Sequence, residues 1–120
     1  MTSPPYRLTE AADDDIEDIL RTSARQFGPI QRARYAVLLE KAALMVAEAP
    51  ERPGSWDRHG LGEGVRSFHV EHAAGRRGAA AHILYYLRGI LDDGSDGVVI
   101  TRVLHERMDP ALHVPEVPDT

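Results

Sequence analysis

Apolar positions along the chain change their period once, dividing it into a helical half and a strand half. After a lead of MTSPP, expected to be flexible, Tyr6, Arg7 and Leu8 read as a short strand. Thr9 suits a helix N-cap, since its hydroxyl oxygen can accept from an unpaired amide of the first turn. Ala12, Ile16, Ile19, Leu20, Ser23 and Phe27 then recur at helical spacing, with Ser23 the weak position of the stripe. Gly28-Pro29 closes this helix: glycine fits the residue after the last turn, and proline cannot continue it. A second stripe, Tyr35, Leu38, Leu39, Ala42, Met45, Val46 and Ala49, predicts a helix from about Ile30 to Ala49 with a broader apolar face, ended by Pro50. Two amphipathic helices joined by so short a link predict an antiparallel hairpin.

Pro50 to Gly64 is rich in Pro and Gly and reads as a loop leading from helices to sheet. Trp56 within it is expected to lie over the core edge as a lid, or to serve as a partner-binding hot spot. Three strands follow: Val65–His72, Ala79–Leu87 and Val98 to about Leu104. AAGRRG and DDGSDG supply the turns between them. The second strand is apolar on both parities, the pattern of a central strand covered on both faces. Short turns between successive strands predict an antiparallel meander. The tail from Pro110 to residue 120, with two further prolines and acids, is expected to be poorly ordered. The resulting fold class is α+β: a short N-terminal strand and an antiparallel helical hairpin packed on a mainly antiparallel sheet.

Length and charge narrow the picture. The chain has 120 residues, one domain's worth, with a folded core expected over about residues 6–109. No apolar run approaches the roughly 18 residues of a membrane span, and the start lacks the basic and apolar regions of a signal peptide. A cytoplasmic protein without a membrane partner is the expectation. There is no cysteine, so neither disulfide nor thiolate chemistry is available. The net charge is −5, against the basic stripe that a nucleic-acid binder presents, so direct sequence-specific nucleic-acid binding is not expected. Lys41 is the only lysine, and arginine supplies the remaining basic side chains. Arginine favours bidentate contacts, and a GC-rich genome also favours it. The acidic run Asp13–Asp18 reads as a solvated helix face, its first members placed well against the helix dipole.

The apolar strand beginning at Val98 ends in a cluster of ionisable groups. Within it Ile100, Arg102, Val103, Leu104, His105, Met108 and Asp109 match the pattern I-x-R-V-L-H-x-x-M-D. This run resembles the C-terminal signature of ParE-type toxins in the RelE/ParE superfamily. The helical hairpin, the Pro-rich connection, Gly64–Ser67 (GVRS) and His82–Tyr86 (HILYY) add to the resemblance, which extends from Tyr6 to His113.

Arg66, His82, Tyr86, Arg102, His105 and Trp56 are the candidate residues for contact with a target or partner. On strand parity Arg66 shares a face with Phe68 and Val70. A guanidinium there serves either as an ion pair at the core rim, since an unpaired buried charge is costly, or as a contact to phosphate or partner. His82 and Tyr86 share parity, four residues apart. Such a pair either satisfies core neighbours or handles a phosphate or a proton. His105 divides in the same way between packing and acid–base use. His59, His69, His72 and His113 show no metal-ligand spacing, so no metal and no cofactor is expected. No nucleophile elbow, Walker loop or dinucleotide fingerprint is present, and nothing local activates Ser55 or Ser67.

The resemblance implies the toxin of a type II toxin–antitoxin pair, poisoning DNA gyrase without catalysis and neutralised by a ParD-like antitoxin. RelE-type relatives imply a second reading, messenger cleavage on the ribosome, which calls for a dense basic surface to grip RNA. A third reading is an inactive toxin fold that survives as a binding module, since fold does not fix function.

Overall fold

The computed structural model describes residues 5–114. The lead before them and residues 115–120 lie outside the described chain, and with them part of the expected flexible segments. Strand β1 (Tyr6–Leu8) is followed by helices α1 (Glu10–Phe27) and α2 (Pro29–Glu48). Then come β2 (Ser55–Asp57), β3 (Arg66–His69), the single helical turn α3 (Glu71–Ala74), β4 (His82–Ile90) and β5 (Asp96–His105). The five strands form one sheet in the order β1-β5-β4-β3-β2. From β2 to β5 the strands make the expected antiparallel meander, and β1 joins the other edge parallel to β5.

The helix boundaries follow from local chemistry. Thr9 caps α1, its side-chain oxygen accepting from the Ala12 amide at 3.1 Å. Gly28 separates the helices at φ +88°, a conformation that costs other residues a Cβ clash, and Pro29 starts α2 where a missing amide hydrogen does no harm. The hairpin lies on one face of the sheet. Ala12, Leu39, Ala42 and Val46 pack there against Phe68, Leu84, Tyr86, Val98, Ile100 and Val103. On the opposite face Val65, Tyr85, Leu104 and Val114 form a smaller cluster, so β4 and β5 are covered on both sides.

A β-bulge places Thr101 between the Tyr86–Ile100 and Tyr85–Arg102 pairs. Thr101 is held in place by its hydroxyl, which donates to the Tyr85 carbonyl at 3.1 Å. The outer edge of β5 beyond Ile100 has no strand neighbour, and α1 takes over that role. The Thr9 amide donates to the Ile100 carbonyl at 3.0 Å, the Thr9 hydroxyl to the Thr101 carbonyl at 2.8 Å, and the Val103 amide to Asp15 at 2.9 Å.

Several expectations need correction. The Pro50–Gly64 segment is not wholly loop: Ser55–Asp57 pairs with β3 as the edge strand, and His59–Leu61 forms a 3-10 turn. Trp56 on that edge strand is 70% exposed and is no lid. The predicted strand Val65–His72 runs only from Arg66 to His69, because Val70 turns into helical geometry (φ −60°, ψ −24°) and begins α3. The next strand starts at His82 rather than Ala79, since the Ala81 amide is taken by the Tyr35 hydroxyl, and it runs on to Ile90 to complete its hairpin with β5. Phe27, placed on the buried stripe of α1, is 69% exposed. The chain also stays packed beyond Pro110: Pro110–Leu112 forms a 3-10 turn and Val114 is buried. Asp15 is no part of a wholly solvated face, for its carboxylate faces β5.

Candidate functional site

The sequence candidates separate into two closed polar knots, one exposed side chain and one open cleft. The first knot joins Arg66 and Tyr86, which are cross-strand neighbours on the helix face. The Tyr86 hydroxyl donates to the Pro50 carbonyl at 2.6 Å and lies 2.5 Å from the Ser55 hydroxyl. Arg66 Nε donates to the same Ser55 oxygen at 2.8 Å, and its outer nitrogens reach the Ser55 carbonyl and Glu51. Burial raises the Tyr86 pKa, so its proton stays on the phenol. This knot fastens the segment leaving α2 onto the sheet.

The second knot is a clasp around Arg102. Its Nε and one terminal nitrogen donate to the two Asp15 oxygens at 2.7 and 2.8 Å, and the other terminal nitrogen donates to the His113 carbonyl at 2.8 Å. The hydrogen bond to Asp15 is the main reason its pKa is raised. One guanidinium thus ties together α1, β5 and the C-terminal turn. Trp56 stands apart from both knots on the free edge of the sheet.

His82 and His105 come together as the pair that opens β4 and closes β5, their rings 5.4 Å apart and nearly perpendicular. Tyr35 on α2 meets His82 at 2.6 Å between its hydroxyl and Nδ1. That hydroxyl accepts from the Ala81 amide at 3.2 Å, and donating its own proton to His82 Nδ1 fills both of its hydrogen-bonding roles. The His82 proton is therefore on Nε2. The Arg107 amide donates to His105 Nδ1 at 3.1 Å, which sets the same tautomer there. His69 on β3 repeats the logic: the Glu71 amide donates to its Nδ1, and its Nε2 donates to Glu106 at 2.8 Å.

Burial holds His82 well below the ordinary histidine value, at about 4, with His105 and His69 adding to the drop and Glu106 opposing it. The hydrogen bond from His69 holds Glu106 below the usual carboxylate range. Burial also raises Tyr35. His82 is thus a neutral imidazole near pH 7, fixed in orientation by Tyr35. It faces a cleft of about 640 Å³ between the last turns of α1, the start of α2 and the segment from Gly78 to Ala81. A cleft of this volume holds a small ligand or the anchoring side chain of a partner.

Sequence reasoning placed His82, His105, Arg66, Arg102 and Tyr86 individually but missed Tyr35, Asp15, Ser55 and the His69–Glu106 pair. Tyr35 carried one signal, a lone hydroxyl in an otherwise apolar helical stripe. Ser55 carried none, since its role depends on the three-dimensional approach of Pro50 and Tyr86. Among the described residues, no group of three or more His, Asp or Glu side chains is disposed to hold a metal. No described helix is long and apolar enough to cross a membrane.

Residues 6–110 match the family model described as the ParE toxin of the type II toxin–antitoxin system parDE. The chain is also 30% identical over 110 residues to a protein named Toxin ParE1 from Caulobacter vibrioides, covering 92% of this chain and 97% of that one. The matched span contains all three helices, the whole sheet, the Arg66–Tyr86 knot, the Arg102–Asp15 pair and the histidine cleft, and stops short of His113. The chain belongs to the ParE toxin family of type II toxin–antitoxin systems.

Proposed function

We propose that this protein is a cytoplasmic toxin that poisons DNA gyrase by binding it, without catalysis of its own, and that a ParD-like antitoxin neutralises it. The observation that carries the reading is how the two candidate arginines of the sheet, Arg66 and Arg102, are engaged, while Arg88 on β4 stays largely exposed beside Glu51. Arg66 is engaged by Ser55 and Glu51, and Arg102 by Asp15 and His113, so neither presents a free guanidinium for a phosphate backbone. The chain's balance of −5 adds to this, because gripping RNA depends on many cationic contacts. Large apolar side chains stand in solvent instead: Phe27 and Ile30 at the hairpin tip, Val37 along α2 and Trp56 on the sheet edge. Exposed apolar and aromatic groups are what protein–protein contacts use. A disordered antitoxin segment that folds on binding can cover them.

The deciding experiment is a purified-gyrase assay with and without the protein, scoring ATP-dependent accumulation of cleaved DNA. Cleaved DNA at near-stoichiometric protein is the expected result. No cleaved DNA from a demonstrably folded sample overturns the gyrase reading. The RelE-like alternative draws on one feature, the Tyr35–His82–His105 group, which has the residue types for proton transfer. Ribosome-dependent messenger cleavage by the purified protein, abolished in His82→Ala, would move the assignment there.

A further inference from the structure

At the His82 end of the sheet two imidazole donors are left to solvent, for no buried side-chain nitrogen or oxygen among the described residues lacks a partner. In both His82 and His105 the Nδ1 atom is already an acceptor, from Tyr35 and from the Arg107 amide. Each ring therefore carries its proton on Nε2. Among the described residues neither of these Nε2–H groups has a partner, although the corresponding group of His69 is satisfied by Glu106. Both rings line the same cleft. Thr22, Gln26 and Gln31 add further donor-bearing side chains to its wall, while Ile19 and Ala80 supply apolar surface.

We propose that this cleft is an anion-binding site that receives the carboxylate of an Asp or Glu side chain from a partner polypeptide, held between the Nε2–H groups of His82 and His105. The apolar wall suits the short aliphatic stem of such a side chain, and the paired imidazoles suit its two oxygens. The surrounding charge selects against a polyanion. Asp18 of α1 lines the cleft and is paired with Arg21. Glu106 sits beside the His69 ring, and no lysine or arginine lines the wall. A single carboxylate meets less repulsion here than a nucleic-acid strand, which brings one charge after another. The titratable groups around the imidazoles are Tyr35 from α2, His69 from β3 and Glu106 beyond β5, with Asp18 of α1 on the cleft wall and only the backbone amide of Arg107 meeting His105. A carboxylate placed here offsets the burial that depresses the basicity of His82.

The site does not depend on gyrase being the target: a protein inert toward gyrase would still bind the probe. The test is an NMR titration of the full chain with sodium formate, matched in ionic strength by sodium chloride. The expected result is a saturable shift of the His82 and His105 Nε2–H signals in formate alone, with the His82 titration midpoint rising by about one pH unit. His105→Phe removes one donor and is expected to abolish saturation, and His69→Gln is expected to keep it. Identical behaviour in formate and chloride overturns the site. So does full formate binding by His105→Phe. Inorganic phosphate binding more tightly than formate replaces the carboxylate assignment with a phosphate site. Because the formate–chloride comparison uses the unaltered chain, the site can be refuted even if a variant misfolds.

Discussion

Arg102 and His105 lie three residues apart on β5, and their polar atoms meet opposite fates. Every nitrogen of the Arg102 side chain is bonded within the fold, to both Asp15 oxygens and the His113 carbonyl. His105 has one nitrogen satisfied by its own turn and the other, among the described residues, unpartnered beside a cleft. Both residues belong to the same sequence motif, so the motif alone does not distinguish them. What distinguishes them is what stands opposite. α1 crosses β5 at the bulge and brings a carboxylate to Arg102, whereas the tip of the hairpin stands off the end of the sheet and leaves room beside His105. A closed polar group in a fold acts mainly on stability, and an open one remains available to a ligand.

The comparison breaks most visibly at Asp15. Its carboxylate takes two bonds from Arg102 and one from the Val103 amide, and only 14% of the side chain is exposed. Asp15→Ala leaves a largely buried guanidinium without its carboxylate, held only by the His113 carbonyl, and the Val103 amide without a partner. The expected loss is about 3 kcal/mol, or a melting temperature lowered by roughly 10 °C for a domain of this size. Replacing both partners, as in Asp15→Leu with Arg102→Met, is expected to recover much of it, because no charge is then stranded. Thermal unfolding of the two variants beside the parent checks this. A single variant as stable as the parent would mean that the clasp is ornamental and the contrast with His105 is empty.

The cleft side has a different signature, a dependence on pH. His82 has a folded value of about 4, below its ordinary 6.5. The unfolded chain therefore binds the proton more readily than the folded one. The stabilisation from His82 is fully present above about pH 6.5, falls as pH drops, and is gone below about 4. Because His82 is only partly buried, solvent screening leaves about 2 kcal/mol as the expected span. Denaturant unfolding across this window, in the parent and in His82→Gln, isolates the contribution as the difference in slope. Parallel curves would place His82 in a solvated setting. Tyr86→Phe follows in size: it removes the donor to the Pro50 carbonyl and a partner of Ser55, for a loss of about 1 kcal/mol. It should leave the His82 titration unmoved, and a shifted titration would show that the knot and the cleft are coupled.

The same contrast explains what was legible in the sequence. Elements set by periodicity and punctuation could be read directly. The Thr9 cap, the Gly28-Pro29 break, the two helices and the DDGSDG hairpin depend on neighbours within a few residues. Strand ends were less legible, because distant partners decide them: Tyr35 delays the start of β4 by capturing the Ala81 amide, and β3 claims Ser55–Asp57 from a segment that reads as loop. The candidate site was half visible. His82 and His105 stand out as residue types, and their pairing across a sheet is geometry. That both Nδ1 atoms are occupied, on two rings that line one cleft, depends on a helix hydroxyl and a turn amide that no spacing rule connects.

Trp56 sharpens the comparison from the opposite limit, a large side chain with almost nothing to lose in the fold. It is 70% exposed on the free edge strand, in neither apolar cluster and in none of the polar knots. Trp56→Ala is therefore expected to change stability by less than about 0.5 kcal/mol. If a ParD-like antitoxin covers this edge, the same variant should bind it at least about tenfold more weakly, since exposed tryptophans often anchor interfaces. Unfolding and antitoxin affinity measured on one preparation separate the two effects. Unchanged affinity in a stable variant removes Trp56 from the interface and leaves the hairpin tip, with Phe27 and Ile30, as the apolar surface to be covered. A loss of stability matching the loss of affinity would mean that Trp56 supports the edge strand after all, and that exposure is a poor guide to function on this side of the sheet.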